Sequence, residues 1–225
     1  MILALETSTK NCSVALLEGQ ELKVLIEAQS DQYIHSEKLH LFIEEALKQA
    51  QIGPQDLEAV AVGSGPGSYT GLRIGVSTAK ALAYSLNIPL LSAKGPELLL
   101  AAVLYEHDLP PQAKLHPMID ARRMEVYTMT YNSDTGKSSE IEAKVIDADA
   151  YSEEGPHYYF GDGAPKLKDL MAGEQHHFID LEWPSAAHFK YLLRQKIDQK
   201  DFEDIAYFEP FYLKAFQAIK PKSLF

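Results

Sequence analysis

The sequence predicts an α/β protein of two halves, and three observations predict it. Short apolar runs of strand length alternate with longer stretches of helical period. An apolar run, a glycine-rich turn and a helical pattern follow one another directly from Leu57 to Leu86. The order of meander and then helices restarts after the Pro110-Pro111 stretch at 107–114, the best candidate linker. The expected division is an N-terminal lobe over 1–106 and a smaller α/β lobe over 107–225, with the tail 205–225 packing back on the first lobe.

In chain order, Met1 to Leu5 reads as a strand ending in the polar turn Glu6-Thr7-Ser8-Thr9. Residues 12–18 and 21–28 read as two further strands joined at Gly19-Gln20. From His35 to Ala50, Leu39, Phe42, Ile43, Ala46, Leu47 and Ala50 recur at helical spacing. Ser36 is the candidate cap of that helix, Glu37 suits its first turn, Lys48 its last, and Gly53-Pro54 end it. Leu57 to Val62 is a buried-strand pattern, followed by Gly63, Gly65, Gly67 and Gly71 with Pro66 among them. Ser68 or Thr70 caps the next helix, which runs to Leu86 and stops at Asn87 and Ile88-Pro89. Leu90 to Ser92 is a short strand, and Gly95-Pro96 opens a helix to about Tyr105.

In the second half, His116–Ala121 and Glu125–Tyr131 read as strands around an Arg122-Arg123 turn, with Ser139–Ile146 as their antiparallel neighbour. His157–Phe160 is a strand leading into Gly161-Asp162-Gly163-Ala164 and a short helix from Pro165 to Met171. His176–Asp180 is a strand, and Pro184 opens a helix from Ser185 to about Ile197. The tail from Phe208 to Leu213 is aromatic and aperiodic.

Composition narrows the function classes. With 225 residues there is enough chain for a substantial core. The formal net charge of −11 repels phosphates, so nucleic acid is expected as an indirect partner, and Arg122-Arg123 is the one visible seed of a basic patch. The single cysteine, Cys12, excludes internal disulfides and thiolate zinc sites and suits a reducing compartment. No apolar run approaches the ~20 residues of a membrane span, and the N-terminus lacks the basic start of a signal peptide, so the chain reads as cytoplasmic.

A glycine turn between strand and helix aims backbone N–H groups at an anion, which makes a phosphate site the first hypothesis. Three turns are candidates: Thr7, Ser8 and Thr9; Gly65, Gly67 and Ser68; and Gly161 and Gly163. All are degenerate as nucleotide cradles, because no P-loop lysine follows the glycines and the first hairpin carries Glu6 but no glycine. The competing reading is a tight turn that lets the helix pack close on the sheet. His35 and His40 lie ~140° apart on a helix and cannot share an ion, and His176 and His177 face opposite ways on a strand. Gly75-Val76-Ser77-Thr78-Ala79 falls one residue short of a nucleophile elbow and lies inside the helical pattern. No catalytic residue and no metal site is therefore assigned. The helix from Gly71 has Ile74, Ala81 and Ser85 on one side and Arg73 and Lys80 as its only charges. With one side on the sheet, the other is expected to meet another helix or another chain.

The segments MILALETST, HSEKLH, GSGPGSYTGLRIG, DARRMEVY, GDGA and PFYLK occur in this order along nearly the whole chain, and together they resemble the TsaB (YeaZ) family. Met124 stands where that family usually has glycine. The resemblance implies an actin-like two-lobe fold of the acetate-kinase, sugar-kinase and actin group, with a mixed five-stranded sheet in the N-terminal lobe. It implies a non-catalytic subunit for making N6-threonylcarbamoyladenosine at position 37 of tRNA. The implied partners are a TsaD-like catalytic subunit, a TsaE-like ATPase docking on that pair, and a second copy when the chain is alone. Helices 35–50 and 71–87 would carry the partner surface, with His35, Leu39, Phe42 and Ile43 on the first and Arg73, Ile74, Ser77, Thr78, Ala81 and Ser85 on the second. No cofactor is implied beyond ATP or ADP at a subunit interface. The alternatives are an ATP-binding enzyme of the same fold and a glycopeptidase-type hydrolase, for which no nucleophile or metal ligands are found.

Overall fold

The computed structural model describes residues 1–30, 34–147, 149–171 and 173–214. The first sheet has the order β3-β2-β1-β4-β5. Its strands are β1 (Ile2–Glu6), β2 (Asn11–Glu18), β3 (Glu21–Gln29), β4 (Ala59–Gly63) and β5 (Leu90–Ala93). The first three form an antiparallel meander, and β4 and β5 then pair parallel to β1 and to each other. The sheet is therefore mixed. Every residue of β1 and β4 is buried, as expected of central strands covered on both faces. β3 is an edge and alternates exposed with half-buried positions.

The period of two sorts these strands onto two cores. Leu3, Leu5, Val14, Leu16, Val60 and Val62 face the helices α1 (His35–Gln49) and α2 (Tyr69–Leu86). Ile2, Ala4, Ala15, Leu17 and Ala61 face the other way, onto Leu98 of α3 (Gly95–Glu106) and onto Phe189 and Leu193 from much later in the chain. Each fully buried leucine here contributes about 1.5–3 kcal/mol. Two boundary expectations need correction. Ser36 does not cap α1, whose N-cap is Ile34 with no side-chain hydrogen bond. Ser68 does cap α2, accepting from the Gly71 N–H at 3.2 Å, and Asn87 closes that helix in the left-handed conformation.

The second sheet runs β10-β7-β6-β11-β12. Its strands are β6 (Lys114–Asp120), β7 (Glu125–Thr128), β8 (Tyr131–Asn132), β9 (Lys137–Ser138), β10 (Glu142–Val145), β11 (His157–Phe160) and β12 (His176–Phe178), with β8 pairing β6 and β9. The strand expected over 139–146 is thus shorter. The helix expected over 165–171 is a 3-10 turn at Ala164–Leu167. The helix expected from Ser185 to Ile197 is a 3-10 stretch, Ala186–Tyr191, followed by α4 (Leu193–Asp198).

The lobe boundary also moves. The chain leaves the second lobe at Pro184 rather than at 205. Ser185 Oγ donates to Glu27 at 2.8 Å, and the Ala186 N–H donates to Ser13 Oγ at 3.0 Å. Phe189 and Leu193 then complete a core of the first lobe. Glu203 continues the return, its N–H bonded to Leu90 O at 2.8 Å. Residues 215–225 of the expected tail lie outside the described residues. No helix among the described residues is long and apolar enough to cross a membrane.

Candidate functional site

Two surfaces drew functional expectations, the glycine and hydroxyl turns and the two helices, and the structure treats them differently. The Glu6–Thr9 turn does not face the Gly63–Gly71 loop across an open cleft. The two are closed against each other. Ser68 N–H donates to Ser8 O at 2.6 Å, and Thr7 Oγ1 donates to Gly71 O at 2.8 Å. A Cβ on Gly67 would overlap the Ser8 carbonyl, one on Gly71 the Thr7 carbonyl, and one on Gly63 the Glu6 carboxyl. Thr7, Ser8 and Thr9 are buried, and Gly65 is packed against Leu72 and the Phe211 carbonyl. Gly161 and Gly163 serve another close approach, onto Met118 and Val126 of the second lobe. The glycines give the backbone room for chain, and a phosphate has no space between the first two turns.

The chemistry behind this seam is equally closed. Glu6 is fully buried, and burial pushes its carboxyl above the ordinary range against the pull of its hydrogen bonds with Ser8. Burial, with the Glu6 charge adding to it, pushes the Cys12 thiol up to about 12, so no thiolate forms near neutrality. His35 Nε2 pairs with Thr9 O at 2.8 Å, and burial lowers its pKa. Among the described residues, no group of three His, Cys, Asp or Glu side chains could hold a metal ion.

The expected partner residues divide in two. His35, Leu39, Ile43 and Thr78 lie in the chain's own interior, which corrects the expectation that they face outward. His35, Leu39 and Ile43 share the α1 face that also carries Ala46, whereas Thr78 lies on the side of α2 that carries Gly71 and Leu82, toward α1. Phe42 and Ile74 are half-buried at the margin of the same core. Arg73, Ser77, Ala81 and Ser85 are exposed and lie along one side of α2 together with Tyr84. Beside this stripe, a groove of about 420 Å³ opens between α1 and α2, lined by His40, Ile43, Glu44, Leu47, Leu57 and Leu82.

The flank of α2 away from the sheet is not left wholly to a second chain. The segment 205–212 crosses it: Lys80 Nζ donates to Phe208 O at 2.7 Å and to Ala206 O at 3.4 Å. Arg73 lies over the Tyr69 ring at 4.1 Å and reaches the Tyr212 hydroxyl, and Phe211 N–H donates to Ser64 O at 2.8 Å. These contacts explain the two charges on an otherwise apolar helix.

The second lobe holds a cluster that sequence reasoning missed. His116 Nε2 lies 3.0 Å from His157 Nδ1, His116 Nδ1 lies 3.1 Å from Thr130 Oγ1, and His157 Nε2 lies 2.9 Å from Glu153 O. Both rings are buried, and burial lowers the pKa of each. The available signal was His116 and His157 on strand patterns, but their adjacency depends on β6 pairing with β11.

A family model described as "TsaD: tRNA N6-adenosine threonylcarbamoyltransferase" matches residues 29–208. The tRNA threonylcarbamoyladenosine biosynthesis protein TsaB of Bacillus subtilis is 36% identical over 143 residues, covering 62% of this chain and 58% of that protein. The tRNA N6-adenosine threonylcarbamoyltransferase of Clostridioides difficile is 46% identical over 78 residues, 34% of this chain and 23% of that one. The chain spans about half the length of the curated relatives it matches. YeaZ from Pseudomonas aeruginosa superposes with a TM-score of 0.79 at 24% identity, over 94% of this chain and 99% of that one, so the two share the fold.

Proposed function

Since the chain belongs to the TsaD family and to its TsaB (YeaZ) members, with their actin-like two-lobe fold, we propose that it works in tRNA threonylcarbamoyladenosine biosynthesis as a non-catalytic scaffold. Its partner is a TsaD-like catalytic subunit, the pair recruits a TsaE-like ATPase, and a second copy takes the same face when that partner is missing. Transfer RNA reaches the chain through the complex. The observation that carries this reading is the outward stripe of α2, where exposed Ser77, Ala81 and Ser85 let another helix approach closely beside the α1–α2 groove. The filled seam between the Glu6 and Gly63 turns supports the non-catalytic part, because it leaves a nucleotide's phosphates no cradle there.

Ala81→Glu tests it. Ala81 is exposed, so the fold tolerates the change within about 0.5 kcal/mol. A carboxylate pressed into a helix–helix contact is costly, and co-elution with the catalytic subunit is expected to be lost. Unchanged co-elution overturns the interface. Titration calorimetry of the isolated chain with ATP and magnesium is expected to show no micromolar binding, and such binding would return the enzyme reading to first place.

A further inference from the structure

The β6–β7 turn is built against local preference. Arg122 and Arg123 stand in succession at φ 68° and 50°, the left-handed region that glycine and asparagine enter readily and arginine seldom does. Ala121 N–H to Glu125 O and Glu125 N–H to Arg122 O hold the turn closed, and the Arg122 N–H is anchored on Asp120 Oδ1. Backbone held in a disfavoured region marks a place where the side chain matters.

The charges around the turn are already assigned to one another. Lys166 Nζ takes Asp120 Oδ1 and Glu125 O, each at 2.7 Å, and Lys214 takes the Glu125 carboxylate. Asp162 Oδ1 accepts from the Asp120 N–H at 2.9 Å, and burial, with Asp120 adding to it, pushes its carboxyl up to about 7. Asp120 and Glu125 are therefore engaged by lysines, and Asp162 by a backbone N–H. Both arginines are exposed, and no hydrogen bond or ion pair reaches either guanidinium among the described residues. A chain with a net charge of −11 thus raises two unneutralised forks on one hairpin tip, beside an exposed Met124.

We propose that the Arg122–Arg123 turn is a contact for the phosphodiester backbone of RNA, presented by the second lobe when the chain stands in its complex. The proposal rests on the tRNA reading above. A phosphate backbone supplies closely spaced anions to both forks while leaving them hydrated, and it needs only the tip, so the acidic remainder of the surface stays clear. An acidic protein partner would have to bury both forks against a surface that is otherwise like-charged.

The test measures binding of unmodified tRNA to the chain paired with its catalytic subunit, over a series of salt concentrations. Arg122→Asn with Arg123→Asn removes both charges and suits the left-handed turn. Its melting temperature is expected to rise by about 2–4 °C, while tRNA affinity falls roughly tenfold and the salt slope shrinks by about 1–2. Arg122→Lys with Arg123→Lys is expected to keep the wild-type slope. An unchanged affinity and slope in the asparagine pair overturns the proposal. So does loss of binding by the lysine pair as well, which marks a disrupted fold, or loss of co-elution with the catalytic subunit, which marks a protein contact. A wild-type complex that binds no tRNA overturns this inference and the reading beneath it, whereas failure confined to the variants leaves that reading standing.

Discussion

Gly71 sits in the first turn of α2, where alanine is normally the better residue by about 1 kcal/mol. Here the sign reverses, because the Cβ would overlap the backbone carbonyl of Thr7, which is held by the β1–β2 turn and cannot swing aside. Overpacking of this kind costs about 1–3 kcal/mol. Gly71→Ala is expected to lose stability by that amount, net of the helical gain, in urea denaturation. The same geometry explains why a glycine run that resembles an anion loop is one only in outline. Its glycines admit the neighbouring turn, so the space a phosphate would use is filled by Ser8 and Thr7.

At the scale of the element, α2 was legible to within two residues, 71–87 expected against Tyr69–Leu86 observed, and its surroundings in part. The structure chose Ser68 over Thr70 as its cap, whereas its glycines and its stop at Asn87 read from local chemistry. That the chain's own segment 205–212 lies along one flank did not, because aromatic residues without a period carry no address. Phe208 packs against the first core and its carbonyl receives Lys80. Phe208 is half-buried, so Phe208→Ala is expected to cost about 2 kcal/mol, roughly half the loss for a fully buried ring. Hydrogen exchange should then rise in 205–212 first. Exchange that rose equally through β1 and β4 would show instead that the segment is needed for the whole first lobe to fold.

At the scale of the molecule, buried histidines in both lobes oppose protonation, and the second lobe holds a coupled pair. In the second, the His116–His157 pair fits only while at least one ring is neutral, because each remaining ring nitrogen already has its partner at Thr130 Oγ1 or Glu153 O. Desolvation, the two rings' mutual repulsion and the charges of Lys144, Lys114 and His176 all lower the His116 pKa, which takes away stability on the acid side. The native state favours the neutral ring, so stability is full above the unfolded value near pH 6.5 and falls as pH drops below it. The loss from His116 grows by at most about 1.4 kcal/mol for each pH unit below that value. Urea midpoints at pH 7.5 and 5 test this, and a midpoint that does not move removes the account. Lys144 over the buried Tyr151 ring and Lys114 on Glu153 keep further positive charge close by.

The sequence by itself determined the elements and their class. The period of two in β1, β2 and β4 and of 3.6 in α1 and α2, with glycine and proline between them, follow from backbone sterics and burial along a few neighbouring residues. The ordered motifs carried the family. Tertiary structure alone decided what the turns and charges are for. Whether Gly67 meets a ligand or Ser8, whether His35 and Thr78 face a partner or the core, and whether Arg122 is paired or free depend on residues far away in the chain. A sequence reports the local preference of each residue, and a site is made by distant residues whose proximity only the packed sheets and helices establish.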